Sequence, residues 1–81
     1  MMKTRKNKLG DKNITGAQIT KIRKAKGLSQ KEFVSFLQIE GLDMNPTSVS
    51  KIEGQTRQIT DKELLIVAKA LDVSPADLFF E

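Results

Sequence analysis

Between residues 15 and 78 the apolar positions fall into blocks spaced by threes and fours, and most blocks follow a residue suited to capping a helix. Thr15 with Gln18 fits a capping box and predicts a first helix. That helix carries Ile19 and Ile22 on its apolar side, and Lys21, Arg23, Lys24 and Lys26 on its polar side. Gly27 is placed to end it, and Leu28 turns the chain back toward a core. Ser29 with Glu32 is a second box; the helix it opens, over residues 30–38, has Phe33, Val34 and Leu37 in one stripe and Phe36 off its edge. Residues 39–44 form a connection in which Gly41 permits a sharp reversal. Leu42 and Met44 anchor it on either side of Asp43, which predicts an ordered segment.

A third helix follows over residues 46–53, capped by Asn45, begun by Pro46 at its first position and ended at Gly54. After a polar loop with Ile59 as its buried anchor, Thr60 and Glu63 open a fourth helix. Its Leu64, Leu65, Ile66, Val67, Ala68, Ala70 and Leu71 are apolar all round, so it is expected at the centre of the core. Ser74 and Pro75 start a short fifth helix, with Val73 as its staple, Leu78 in the core and Phe79 packed beside it. The expectation is an all-α fold of five helices.

The third helix has an unusual outer face. Val49 and Ile52 share its apolar side, while Thr47, Ser48, Ser50 and Lys51 offer three small hydroxyls and one cation with no acidic or bulky group. Solvation accounts for any polar helix face. Short donor and acceptor side chains beside a lysine also suit a helix that approaches base edges and phosphates.

Composition narrows the function. A chain of 81 residues makes one domain that buries about 60% of its unfolded surface, which leaves no room for a second, catalytic domain. Cysteine and histidine are both absent, removing disulfides, thiol nucleophiles, imidazole bases and the usual zinc ligands. The remaining Lys, Ser, Thr and carboxylate residues show no nucleophile-base or acid-base spacing, so neither an enzyme nor a cofactor or metal site is expected. The longest apolar run is residues 64–68, far short of a membrane span, and no apolar stretch follows the basic start as in a signal peptide. A soluble cytoplasmic protein is expected.

The net charge of +4 is unevenly spread. Residues 1–13 hold five cations against Asp11, residues 14–57 hold seven against four anions, and residues 58–81 hold two against five. One end of the molecule is therefore positive and the other negative, which suits a polyanion approached from one side. Residues 1–13 have too few apolar groups to order themselves and read as a mobile basic arm, either following phosphates or a minor groove or simply solvated. Residues 14–81 form the folded domain.

Taken in order, Ile22-Arg23, Gly27-Leu28-Ser29-Gln30, Val49-Ser50-Lys51-Ile52-Glu53-Gly54, Glu63-Leu64, Ala68, Leu71, Val73-Ser74 and Leu78-Phe79 resemble the phage-repressor and Cro type of helix-turn-helix DNA-binding domain, often called lambda-repressor-like. The resemblance covers residues 19–79. It implies five helices, with residues 30–38 as the positioning helix and residues 46–53 as the recognition helix in the major groove. It places Gln30 at a phosphate, Thr47, Ser50 and Lys51 at base edges, Asn45, Pro46 and Ser48 at the helix entrance, and Arg57 in a phosphate-touching loop. It also implies an internal ion pair between Arg23 and Glu53. Three features depart from the family: the turn over residues 39–44 is extended, Val34 replaces a small residue, and Pro46 offers only apolar contact.

The expected function is sequence-specific binding of double-stranded DNA by a transcriptional regulator, a repressor acting as a homodimer on a palindromic operator. Phe79 or Phe80 is the expected contact at the dimer surface. The alternative is an adaptor or antitoxin-like protein that uses the same helices to bind a protein partner, a use to which the acidic C-terminal half and the terminal Phe pair lend themselves.

Overall fold

The computed structural model describes residues 12–80. The expectations for the arm over residues 1–11 fall outside these residues. Four α-helices follow in order: α1 (Gly16–Ala25), α2 (Gln30–Ile39), α3 (Pro46–Glu53) and α4 (Asp61–Leu71). A 3-10 turn, Pro75–Leu78, closes the chain.

This last element corrects the expected five helices to four. The Asp77 N–H reaches the Ser74 carbonyl and the Phe79 N–H reaches that of Ala76, each closing a three-residue step, while the Asp77 carboxylate accepts the Ser74 N–H at 3.1 Å. Four residues are too few to establish an α-helical ladder, and the turn serves to insert Leu78, which is fully buried.

The start of α1 also differs from its expected capping box. Asn13 supplies the cap: its Oδ1 accepts from the N–H groups of Thr15 at 3.2 Å and Gly16 at 2.8 Å. Thr15 itself has near-helical backbone angles (φ −104°, ψ −12°), so its side chain is not extended toward the first turn. The Thr15 hydroxyl is buried without a hydrogen-bond partner among the described residues. Asn13, assigned by composition to the arm, is a buried part of the domain.

The remaining ends follow their sequence signals more closely. Gly27 takes a left-handed φ of 73°, and the N–H groups of residues 26, 27 and 28 recapture the carbonyls of Ile22, Lys24 and Arg23. The boxes at Ser29 with Glu32 and Thr60 with Glu63 both form, each with reciprocal backbone to side-chain bonds. At the end of α3, however, the left-handed residue is Gln55 (φ 63°) and not Gly54 (φ −81°).

Ile19, Phe33, Leu37, Val49, Ile52, Val67, Leu71 and Leu78 fill the core, each 2% exposed or less. The six residues between α2 and α3 are ordered around it: Gly41 reverses the chain at φ 94°, the Leu42 N–H bonds the Leu37 carbonyl, and Met44 is buried. Val34 is accommodated in the same core. α4 buries only one stripe, Val67, Ala68 and Leu71, and leaves Leu65 half exposed. Its all-round apolarity therefore reflects an apolar surface as well as a core. Leu64 links two adjoining depressions there, one shared with Ile14, Ile59 and Phe79 and the other with Leu65 and Pro75.

α1 crosses the end of α3 with almost no clearance. A Cβ on Gly16 would come within 2.1 Å of the Ile52 carbonyl oxygen and 3.0 Å of that of Glu53, both of which are backbone. Gly16→Ala should therefore force the two helices apart and cost about 1–3 kcal/mol in urea unfolding. A variant as stable as the wild type would show that the helices do not approach so closely.

Acid should weaken the fold through its caps. Burial alone would raise the Glu63 pKa, but hydrogen bonds from Arg57 and from Thr60, with the Arg57 charge, outweigh it and hold the carboxyl below its ordinary 4.5. The Ser29 backbone N–H and then its hydroxyl lower that of Glu32. Groups with depressed native pKa values stabilise the fold above about pH 4.5 and lose that contribution as pH falls through the native value. Glu63→Gln should accordingly show a smaller drop in melting temperature than the wild type between about pH 5 and pH 3. An equal drop would mean the carboxylate does not hold the cap.

Candidate nucleic-acid interface

α3 is fixed from both of its inner sides, and this is what gives its outer face a defined position. Glu53, in its last turn, accepts Arg23 Nε at 2.7 Å on Oε2 and Arg23 Nη2 at 3.1 Å on Oε1. Gln30 Nε2 donates to the same Oε1 at 3.0 Å, and Arg23 Nη1 donates to the Leu28 carbonyl at 2.6 Å. Both charged side chains are more than nine-tenths buried. The expected Arg23 to Glu53 pair is thus present, and it also engages the first residue of α2.

A second clamp lies on the other side. Asn13 Nδ2 donates to the Ile52 carbonyl at 3.1 Å and the Arg57 carbonyl at 2.7 Å, and Gln55 Nε2 returns a bond to the Asn13 carbonyl at 3.1 Å. One amide side chain caps α1 and holds both the end of α3 and the loop beyond it. Sequence reading missed this role. An Asn three residues before a helix start carries the signal for it, but the neighbouring Thr15 and Gln18 supply a competing capping pattern.

With Val49 and Ile52 buried, Thr47, Ser50 and Lys51 stand together on the exposed side of α3, at spacings of three and four. Asn45 and Pro46 are exposed at its entrance; Asn45 Oδ1 is taken by the Ser48 N–H at 2.8 Å, and Ser48 is half buried. Lys51 has no carboxylate partner among the described residues.

Gln30 and Arg57 are placed less freely. The Gln30 amide nitrogen is held by Glu53, as above. Arg57 bonds Glu63 through Nη2 at 3.1 Å and the Gln58 carbonyl through Nη1 at 3.0 Å. Its side chain is still 35% exposed, and a pair this open contributes about 0–1 kcal/mol, so exchanging it for another anion costs little.

Solved structures share this fold, and two of them illustrate it. The restriction-modification controller protein C.AhdI from Aeromonas hydrophila superposes with a TM-score of 0.71 at 29% identity, covering 80% of this chain and 91% of that one. A hypothetical transcription factor, NHTF, from Neisseria superposes with a TM-score of 0.74 at 23% identity, covering 95% and 87%. No protein-family model and no curated protein sequence matches the chain. The all-helical architecture matches the fold of these two proteins.

The buried pair should matter far more to stability than its surface counterpart. Glu53→Ala leaves Arg23 buried with one charge unanswered and should cost about 3–5 kcal/mol in urea unfolding. Replacing both by apolar residues, Arg23→Met with Glu53→Leu, should recover most of that loss. A single variant that loses under about 1 kcal/mol would show that the pair is open to water.

Proposed function

We propose that this chain is a DNA-binding transcription regulator in which α3 lies in the major groove. The observation that carries this reading is the outer face of α3, where Thr47, Ser50 and Lys51 project from a helix clamped along its inner side. Rigid placement matters because reading a base edge requires side chains held in register with it. Asn45, Pro46 and Ser48 meet the groove edge, with Pro46 limited to apolar contact such as a thymine methyl. Gln30, at the start of α2, and Arg57, in the loop after α3, take backbone phosphates. The likeness to a restriction-modification controller protein supports the same reading.

The regulator acts in the cytoplasm as a repressor and binds as a homodimer. A single short helix reads too few base pairs, since each good bidentate contact discriminates by about 1–3 kcal/mol. The apolar surface around Ile14, Leu64, Leu65 and Phe79, with Phe80 64% exposed beside it, supports pairing of two copies. The adaptor reading uses the same surface for a different protein. It requires that the purified chain bind no duplex on its own.

Lys51→Ala should weaken duplex binding by about 1–3 kcal/mol and relax the preference at one base pair. A loss that is equal on all sequences would assign Lys51 to a phosphate instead. Leu65→Glu should shift sedimentation equilibrium toward monomer; a variant that dimerises as the wild type does would place the interface elsewhere.

A further inference from the structure

We infer that the seam between α1 and the end of α3 is an additional seat for the DNA backbone, formed by Lys21 and Lys24 and lying outside the base pairs read by α3. The inference rests on the DNA-binding reading above and extends the interface to a helix that neither that reading nor the sequence resemblance uses.

Ala17, Thr20, Lys21 and Lys24 of α1 line one wall of a shallow groove, and Glu53, Gly54 and Gln55 line the other. The Thr20 hydroxyl is turned inward to the Gly16 carbonyl at 3.0 Å. Lys21 and Lys24, three apart on α1, are both exposed, and neither has a carboxylate within salt-bridge distance among the described residues. Glu53 is the acidic group on the groove, and both of its oxygens are already engaged, by Arg23 and by Gln30. The two ammonium groups therefore keep their charge uncompensated at the rim.

Gly54 supplies an independent observation. Its φ of −81° is open to any residue, and a Cβ there would meet only carbonyls of its own helix, at 3.3 and 3.9 Å. The left-handed position that glycine normally serves at a helix end is taken by Gln55 instead. The φ at 54 therefore does not call for glycine, although a Cβ there would press on the Ser50 carbonyl. What its missing side chain provides is an open wall to the groove, low enough for a sugar-phosphate strand to pass between it and the two lysines.

The test is a salt titration of binding to one duplex that extends well beyond the site, combined with hydroxyl-radical footprinting. Lys21→Ala and Lys24→Ala should each reduce the slope of log affinity against log salt by about 1 and withdraw protection from flanking nucleotides on one side. Lys→Arg at either position should preserve both. Lys69→Ala on α4, which removes the same charge from the opposite, acidic region of the chain, should leave slope and footprint unchanged. Gly54→Gln, which raises the wall without removing a charge, should lower the slope as the lysine variants do, because it keeps the strand from both ammonium groups. If the α1 variants behave as Lys69→Ala does, the seam carries no phosphate and the inference fails while the DNA-binding reading stands. A wild-type chain that binds no duplex at any salt concentration overturns both.

Discussion

The attachment of the end of α3 to α1 is the constraint on which the rest of this small domain depends. Three contacts converge there. Arg23 and Gln30 hold the Glu53 carboxylate, Asn13 holds the Ile52 carbonyl, and Gly16 lets the helices meet without a side chain between them. Their energetic roles differ. A buried ion pair gains little net stability over apolar residues of the same size, because desolvating both charges offsets their attraction. Removing one member is costly, so the pair penalises any other placement of α3. Tight packing at Gly16 and the four bonds of Asn13 act in the same direction, and together they fix a helix that buries only two of its eight residues.

That arrangement explains how so short a helix can present a polar outer face. α3 alone is too short to be stable in water and has little apolar surface to bury. Its position comes from its ends and from Val49 and Ile52, while Thr47, Ser50 and Lys51 are exposed. The charge asymmetry along the chain follows the same division. The lysines of α1 and α3 that have no carboxylate partner among the described residues lie near the clamped end, whereas the C-terminal segment carries acidic groups and an apolar surface.

Much of this was legible in the sequence because local chemistry decides it. The boxes at Ser29 and Thr60, the cap at Asn45 and the left-handed Gly27 depend on residues within a few positions of one another, and the periodicity marked Val49 and Ile52 as buried. Three features were not legible. Asn13 acts on residues about forty positions away, a relation that spacing does not record. The fifth helix shortened to a 3-10 turn because burial of Leu78, and not helix propensity, decides that segment. α4 showed a periodicity too apolar to separate core from surface, so Leu65 was placed inside when it lies half exposed. At the candidate site the exposed face of α3 was readable, but the ties that engage Gln30 and Arg57 came from tertiary contacts.

Selection of bound duplexes from a random-sequence pool at physiological salt tests the central claim most directly. A regulator whose clamped α3 reads base edges as a paired copy should enrich a two-fold symmetric site, with half-sites separated by about one helical turn or a multiple of it. Weak, salt-sensitive binding with no enriched sequence would contradict that claim, since it would show that the chain recognises only the charge of the backbone.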